Sequence, residues 1–242
     1  MKNKSLWKPS KYLAIAHKSS RDPKEVGIGS RFIADIEYKV YEKIISEHAH
    51  GILLDLGCGK VPLYEVYKNY VVDNICVDWI NTYHKNLYLD YEFNLNEPIP
   101  LKNEQFDTIL VTDVLEHISN PDMLWSEMSR ILKPKGKIIV GVPFFYWIHE
   151  EPYDYYRYTE YRLRKFCESN NLSIISLEPY GGVPEIIFDI IAKQISFSKI
   201  LSLVHLFLSN IFINSYFGKR LSKKTCHHFP LGYYLIAQKI GK

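Results

Sequence analysis

Cysteine is scarce and scattered in this chain of 242 residues: Cys58, Cys76, Cys167 and Cys226 stand far apart, and no two have CxxC spacing. That pattern excludes a disulfide-stapled scaffold and a zinc finger. The one tight triplet, Cys226-His227-His228, lacks the spacing of a known metal site, so the sequence assigns no metal ligands. An excess of charge of either sign is lacking too. Thirty Lys and Arg stand against 27 Asp and Glu, a formal net charge of +3, and only Lys219, Arg220, Lys223 and Lys224 form a modest basic cluster. Without an RNA-binding aromatic signature either, no nucleic-acid partner is expected. The opening residues are polar and basic with no apolar core, unlike a cleavable signal, which predicts a cytoplasmic protein with reduced thiols. Internal repeats and low-complexity tracts are also missing.

What is present is ordinary for a soluble domain, 47% apolar and 24% charged, with a surplus of aromatics: 19 Tyr and 12 Phe. Such rings suit a groove for a flat or sugar-like ligand, and equally a packed core. Residues 1–35 read as a polar, turn-rich arm or cap, and 36–242 as one domain. Ile36–His48 has helical spacing. Short apolar runs then follow at Ile52–Leu56, Ile75–Val77, Phe106–Thr112, Lys137–Val142, Leu172–Leu177 and Gly232–Gln238, with a helical stretch at Asp122–Leu132. Strands alternating with helices predict a mostly parallel sheet covered on both faces. The alternation is broken at about 184–220, where a run rich in Ile, Leu and Phe predicts two helices inserted before the last strand.

Leu53-Leu54-Asp55-Leu56-Gly57-Cys58-Gly59 reads as a buried strand entering a tight glycine turn, where a missing Cβ lets backbone approach a ligand. Asp78 closes the next strand about twenty residues on, the spacing at which a carboxylate accepts hydrogen bonds from a ribose. Trp79 beside it offers a face for adenine. A structural reading, with Asp78 capping a helix and Trp79 in the core, remains open at this point. A dinucleotide is disfavoured, because GCGKVP lacks the last glycine of GxGxxG.

LLDLGCG, the acidic end of strand two, FNLNEPIPL, QFDTILVTDVLEHI and ILKPKGKIIVGVP together resemble the ordered motifs of class I S-adenosylmethionine-dependent methyltransferases. The resemblance implies a Rossmann-like sheet of seven strands with the last antiparallel, and S-adenosylmethionine across the carboxyl ends of its central strands. Carried over residue by residue, Asp55, Gly57, Cys58 and Gly59 would cradle the methionine part. Asp78 would take the ribose, Trp79, Asn94 and Leu95 the adenine, and Thr112 and Asp113 the floor. Two departures stand out: Asn94 replaces a frequent Asp, and Val61-Pro62, read as a helix start with proline in its first turn, replaces a frequent glycine.

After the fourth run, the loop Pro143–Thr159 combines aromatics with His, Asp and Arg, and resembles a segment of bacterial methyltransferases encoded among surface-polysaccharide genes. His149, whose imidazole titrates near neutrality, is the first candidate base and His117 the second. Tyr146, Asp154, Arg157 and Tyr158 are candidate acceptor contacts; the alternative for Asp154 and Arg157 is to pair with one another and fix the loop. The expected activity is O-methylation of a sugar or a nucleotide- or lipid-linked glycan precursor. Methylation of a lipid or quinone at a membrane surface, or a non-catalytic binding protein, are the alternatives. The apolar insertion leaves three roles open: helices over the acceptor site or at a homodimer contact, peripheral contact with the inner face of a membrane, or a spanning segment.

Overall fold

A computed structural model describes residues 1–79 and 86–241. A small hairpin of β1 (Tyr12–Leu13) and β2 (Lys18–Ser19) precedes helix α1 (Arg31–His48). Then come β3 (Ile52–Leu56), α2 (Tyr64–Tyr67), β4 (Asp73–Asp78), β5 (Tyr91–Glu92), β6 (Phe106–Thr112), α3 (Pro121–Ile131) and β7 (Leu132–Pro143). The chain closes with α4 (Glu160–Ser169), β8 (Leu172–Tyr180), α5 (Val183–Gln194), α6 (Lys199–Asn214), α7 (Tyr216–Thr225) and β9 (Gly232–Lys239).

The main sheet has seven strands in the order β5-β4-β3-β6-β7-β9-β8. All described pairs are parallel except those of β9, which lies antiparallel between β7 and β8. This is the expected α/β architecture. The seventh strand is β5, two exposed residues at the sheet edge, too short to register as an apolar run.

Central strands buried on both faces explain the unbroken apolar runs. On one side Trp125, Met128, Leu163 and Phe166 of α3 and α4 pack on the sheet. On the other, Tyr38, Tyr41, Ile44 and Ile45 of α1 pack with Tyr12 of the arm. Caps set the helix starts: Asn120 accepts from the Met123 amide at 3.4 Å with Pro121 in the first turn, and Thr159 does the same for α4. The strand order reverses between β3 and β6, and in open α/β sheets that is where a crevice opens beyond the carboxyl ends of the strands.

Two local expectations are corrected. Val61 does not open a helix: it sits at φ +53°, the left-handed conformation a glycine takes without cost, and α2 begins only at Tyr64. The insertion holds three helices rather than two, and extends to Thr225.

Within it, α6 is turned unusually. Its small polar residues Ser202 and Ser209 are buried, and His205 lies against Phe32 and Phe188. The apolar residues Ile200, Leu203, Val204, Phe207, Leu208 and Ile211 face outward, with Phe207 65% exposed. Among the described residues no single helix is long and apolar enough to cross a membrane. Helices α6 and α7 pass that test together but bend by 79° at their break.

Candidate active site

The crevice is a cavity of about 290 Å³ at the ends of β3, β4 and β6. Asp55, Gly57, Cys58, Gly59, Asp78, Trp79, Asn94, Leu95, Thr112 and Asp113 all line it, so the residues carried over by resemblance converge on one space.

The glycine turn shows why its residues are small. Gly57 has φ +69°, and a Cβ there would come within 2.5 Å of Val114. Gly59, at φ +49°, donates its amide to Asp78 Oδ2 at 2.9 Å, while the Trp79 amide donates to Oδ1 at 2.8 Å. Asp78 therefore ties the turn to the end of β4 and holds its carboxylate at the cavity wall. Trp79 stands edge-on to Tyr153 of the loop Pro143–Thr159, ring centroids 5.0 Å apart. Asn94 Oδ1 accepts from both the backbone amide and the side-chain Nδ2 of Asn96, at 3.0 and 3.2 Å, so a ligand donor would have to displace the Asn96 side chain. Cys58 is buried, and burial raises its thiol pKa, so it serves as packing rather than as a nucleophile.

Asp55 is buried and accepts from Tyr67 Oη at 3.3 Å. Burial raises its pKa to about 7; the Tyr67 hydrogen bond works against this and Asp78 adds to it. The folded state thus favours protonated Asp55. Its contribution to stability is complete below the unfolded-state pKa near 4 and is lost as pH rises through about 7. Asp55→Asn, which keeps an acceptor for Tyr67, should be more stable than the parent at pH 8 by on the order of 2 kcal/mol, with the gain fading toward pH 4. Urea midpoints at the two pH values test this; an equal gain at both would remove Asp55 as its source.

The arm completes the cavity. Ser10, Lys11, Tyr12 and Glu25 line it, and ion pairs fasten the arm across the opening: Lys11 to Asp113 at 3.1 Å and to Glu37 at 3.2 Å, and Lys60 to Glu25 at 2.9 Å. Asp113, at φ +55°, also accepts from Tyr41 Oη at 2.7 Å. The sequence gives no sign of these partners, which lie up to 102 residues apart.

At the far end His117 lines the cavity, whereas His149, Tyr146, Asp154 and Arg157 stand behind that wall; the 3-10 turn Leu115–His117 and the loop Pro143–Thr159 bring the two candidate bases together. The His117 and His149 rings are 4.7 Å apart at 76°, and Tyr146 stands 5.1 Å from His149. Burial, then the neighbouring His117, lowers the pKa of His149. Between the histidines lies Glu116, fully buried, which sequence reasoning missed. Burial and then Asp113 push its carboxyl well above the usual range. Asp154 and Arg157 pair with each other at 2.5 and 2.8 Å, and Arg157 also donates to the Trp147 carbonyl at 2.9 Å, so this pair holds the loop in shape. Tyr158 is corrected. It is 3% exposed in the core, edge-on to Phe166 with ring centroids 5.8 Å apart, and donates to the Leu115 carbonyl at 2.9 Å, which leaves no face for an acceptor.

The sheet order, the antiparallel β9 and the glycine-turn cavity are those of the class I methyltransferase fold, and the cavity's residues fit the S-adenosylmethionine that the sequence resemblance implies. Residues 54–140 match the family described as methyltransferase domain. The ubiquinone biosynthesis O-methyltransferase of Bartonella bacilliformis is 27% identical over 149 residues, 51% of this chain and 60% of that protein. Its counterpart in Brucella anthropi is 31% identical over 98 residues, 37% and 40% of the two chains. The match thus spans less than two thirds of these relatives' length. Among solved structures, an S-adenosylmethionine-dependent methyltransferase from Archaeoglobus fulgidus aligns with TM-score 0.56 at 15% identity, covering 87% of this chain and 97% of that one. The (4+2)-cyclase SpnF aligns with TM-score 0.54, also at 15%, covering 86% and 84%.

Proposed function

We propose that this protein transfers a methyl group from S-adenosylmethionine to a hydroxyl of a small polar acceptor, a sugar or a nucleotide- or lipid-linked glycan precursor. The carrying observation is one continuous cavity with Asp78 and the glycine turn at one end and His117, Glu150 and Tyr153 at the other. Bound S-adenosylmethionine supplies an electrophilic methyl on a sulfonium, so the protein's task is alignment plus removal of the hydroxyl proton. His149 is the proposed proton acceptor, placed by its amide's hydrogen bond to Asp154 at 2.9 Å. His149→Ala is expected to lower turnover by roughly two orders of magnitude while cofactor affinity stays near the parent's. Methyl transfer from labelled cofactor into polar and lipid extracts is the measurement, and undiminished transfer would remove His149 from this role.

A second reading, methylation of a lipid or quinone at a membrane surface, is favoured by the outward apolar face of α6. Lys199 at the start of α6 and Lys219, Arg220, Lys223 and Lys224 on α7 are exposed, a composition suited to an anionic interface. It would place the protein in the cytoplasm against the inner face of the membrane. The name of the Bartonella relative supports the same class of acceptor. A homodimer across α6 is the competing occupant of that face. A non-catalytic role is disfavoured by the intact Asp55, Gly57, Gly59 and Asp78.

A further inference from the structure

Glu116 is 0% exposed, and neither of its carboxylate oxygens has a hydrogen-bond partner. A buried carboxylate left unpaired is costly, and native structures rarely keep one without a reason. What faces it is specific. His117 Nε2 lies 3.8 Å from Glu116 Oε1, and His149 Nε2 lies 3.9 Å from the same oxygen. Ligand atoms of all three residues fall within 4.8 Å of one another.

The other nitrogen of each ring fixes what those Nε2 atoms are. His117 Nδ1 is 2.8 Å from the Tyr153 carbonyl oxygen, an acceptor only, so Nδ1 carries the proton and Nε2 presents a lone pair. His149 Nδ1 is 3.3 Å from the Trp147 carbonyl oxygen and 3.3 Å from Asp154 Oδ2, acceptors both, so its Nε2 also presents a lone pair. Two imidazole lone pairs and a carboxylate therefore point at one another. At 3.8 and 3.9 Å they are too far apart for a shared proton to bridge them as a hydrogen bond. A cation bonded to each would draw them together: with bonds of about 2.0–2.2 Å, tetrahedral ligands stand about 3.4 Å apart, so the two Glu116 separations would contract by a few tenths of an ångström and the histidines, within 4.8 Å, by up to about an ångström or somewhat more.

We propose that Glu116, His117 and His149 bind a divalent transition-metal ion, of the kind that imidazole and carboxylate share, such as zinc. The backbone carbonyls of Tyr153 and Trp147, with Asp154, orient the two rings from behind, the arrangement that fixes tautomer and direction at metal-ligating histidines. Three protein ligands leave a fourth position, and His117 sets the site on the cavity wall, where an acceptor oxygen would take that position. Tyr155 and Tyr156 donate their amides to the Glu116 carbonyl at 2.8 and 3.3 Å, which ties the loop carrying His149 to the turn carrying the other two ligands. The ion and the proton-acceptor role of His149 exclude one another, since both use its Nε2 lone pair: in the loaded protein the ion would polarise the acceptor hydroxyl instead, and ion binding is tested apart from methyl transfer.

The test is a titration of chelator-stripped protein with Co²⁺, followed by visible absorption, with Zn²⁺ as competitor. One equivalent is expected to bind and to be displaced by Zn²⁺. Glu116→Gln and His149→Ala should each weaken binding at least tenfold, while Cys226→Ser changes nothing. Glu116→Gln keeps the size of the side chain and should fold, which thermal melting checks; His149→Ala, in a half-buried loop, gives the same reading should the other fail to fold. No cobalt spectrum, or a spectrum unaffected by these variants or lost in Cys226→Ser, would overturn the site. A parallel titration with S-adenosylmethionine shows separately whether the cofactor reading holds.

Discussion

Replacing Asp78 with Ala is expected to weaken S-adenosylmethionine binding by about a hundredfold, the largest effect of any single side chain in the cavity. Two contributions add. A carboxylate accepting from ribose hydroxyls contributes about 1.5–3 kcal/mol as a hydrogen bond to a charged group. The same side chain also holds the Gly59 and Trp79 amides at 2.9 and 2.8 Å, so its loss frees the turn that must meet the methionine part and the ring that must meet adenine. Asp78→Asn separates the two: its amide oxygen can still accept from one backbone amide, while the charge is gone. A loss nearer tenfold is expected there. Calorimetry on the purified variants measures both. An Asp78→Ala protein that binds like the parent would sink the assignment of this cavity to the cofactor.

The second large effect lies at α6. Wild-type protein should float with vesicles containing an anionic phospholipid, and the double variant Leu203→Glu/Phe207→Glu should remain at the bottom of the gradient. Burial of two such side chains in an interface is worth about 1.5–3 kcal/mol each, so partitioning should fall roughly a hundredfold or more. Vesicles of neutral lipid should capture the wild type less, because Lys199, Lys219, Arg220, Lys223 and Lys224 then lose their counter-charge. Wild type that stays behind in both lipids, but sediments as a dimer that the double variant abolishes, would instead identify a second copy as the occupant of this face.

How far the sequence carries differs by level. Strands β3 and β6 are legible to the residue because each is an apolar run bounded by turn-formers, and a doubly buried strand has no other pattern. Strand β5 is not, since an edge pair of exposed residues has no periodicity to detect. For α6, spacing shows that apolar and polar residues separate onto faces, but only packing decides which face turns inward. Here Ser202 and Ser209 went in. The residues that line the cavity beside the glycine turn are legible because the proposed cofactor's chemistry demands fixed types at fixed distances. The acceptor end is not: Tyr158 resembles a binding aromatic until the Leu115 carbonyl takes its hydroxyl, and Glu116 resembles a surface carboxylate until the loop closes over it. The cyclase among the structural neighbours makes the same point, since one fold serves reactions that its backbone does not distinguish.

The arm has a consequence for where the working unit begins. The family match covers residues 54–140, yet Ser10, Lys11, Tyr12 and Glu25 wall the cavity, and Lys11 reaches Asp113 from outside that span. A fragment trimmed to the recognisable core would keep the glycine turn and lose its roof. Recognisable core and functional unit are different objects in this chain, and Lys11 with Asp113 is the seam between them.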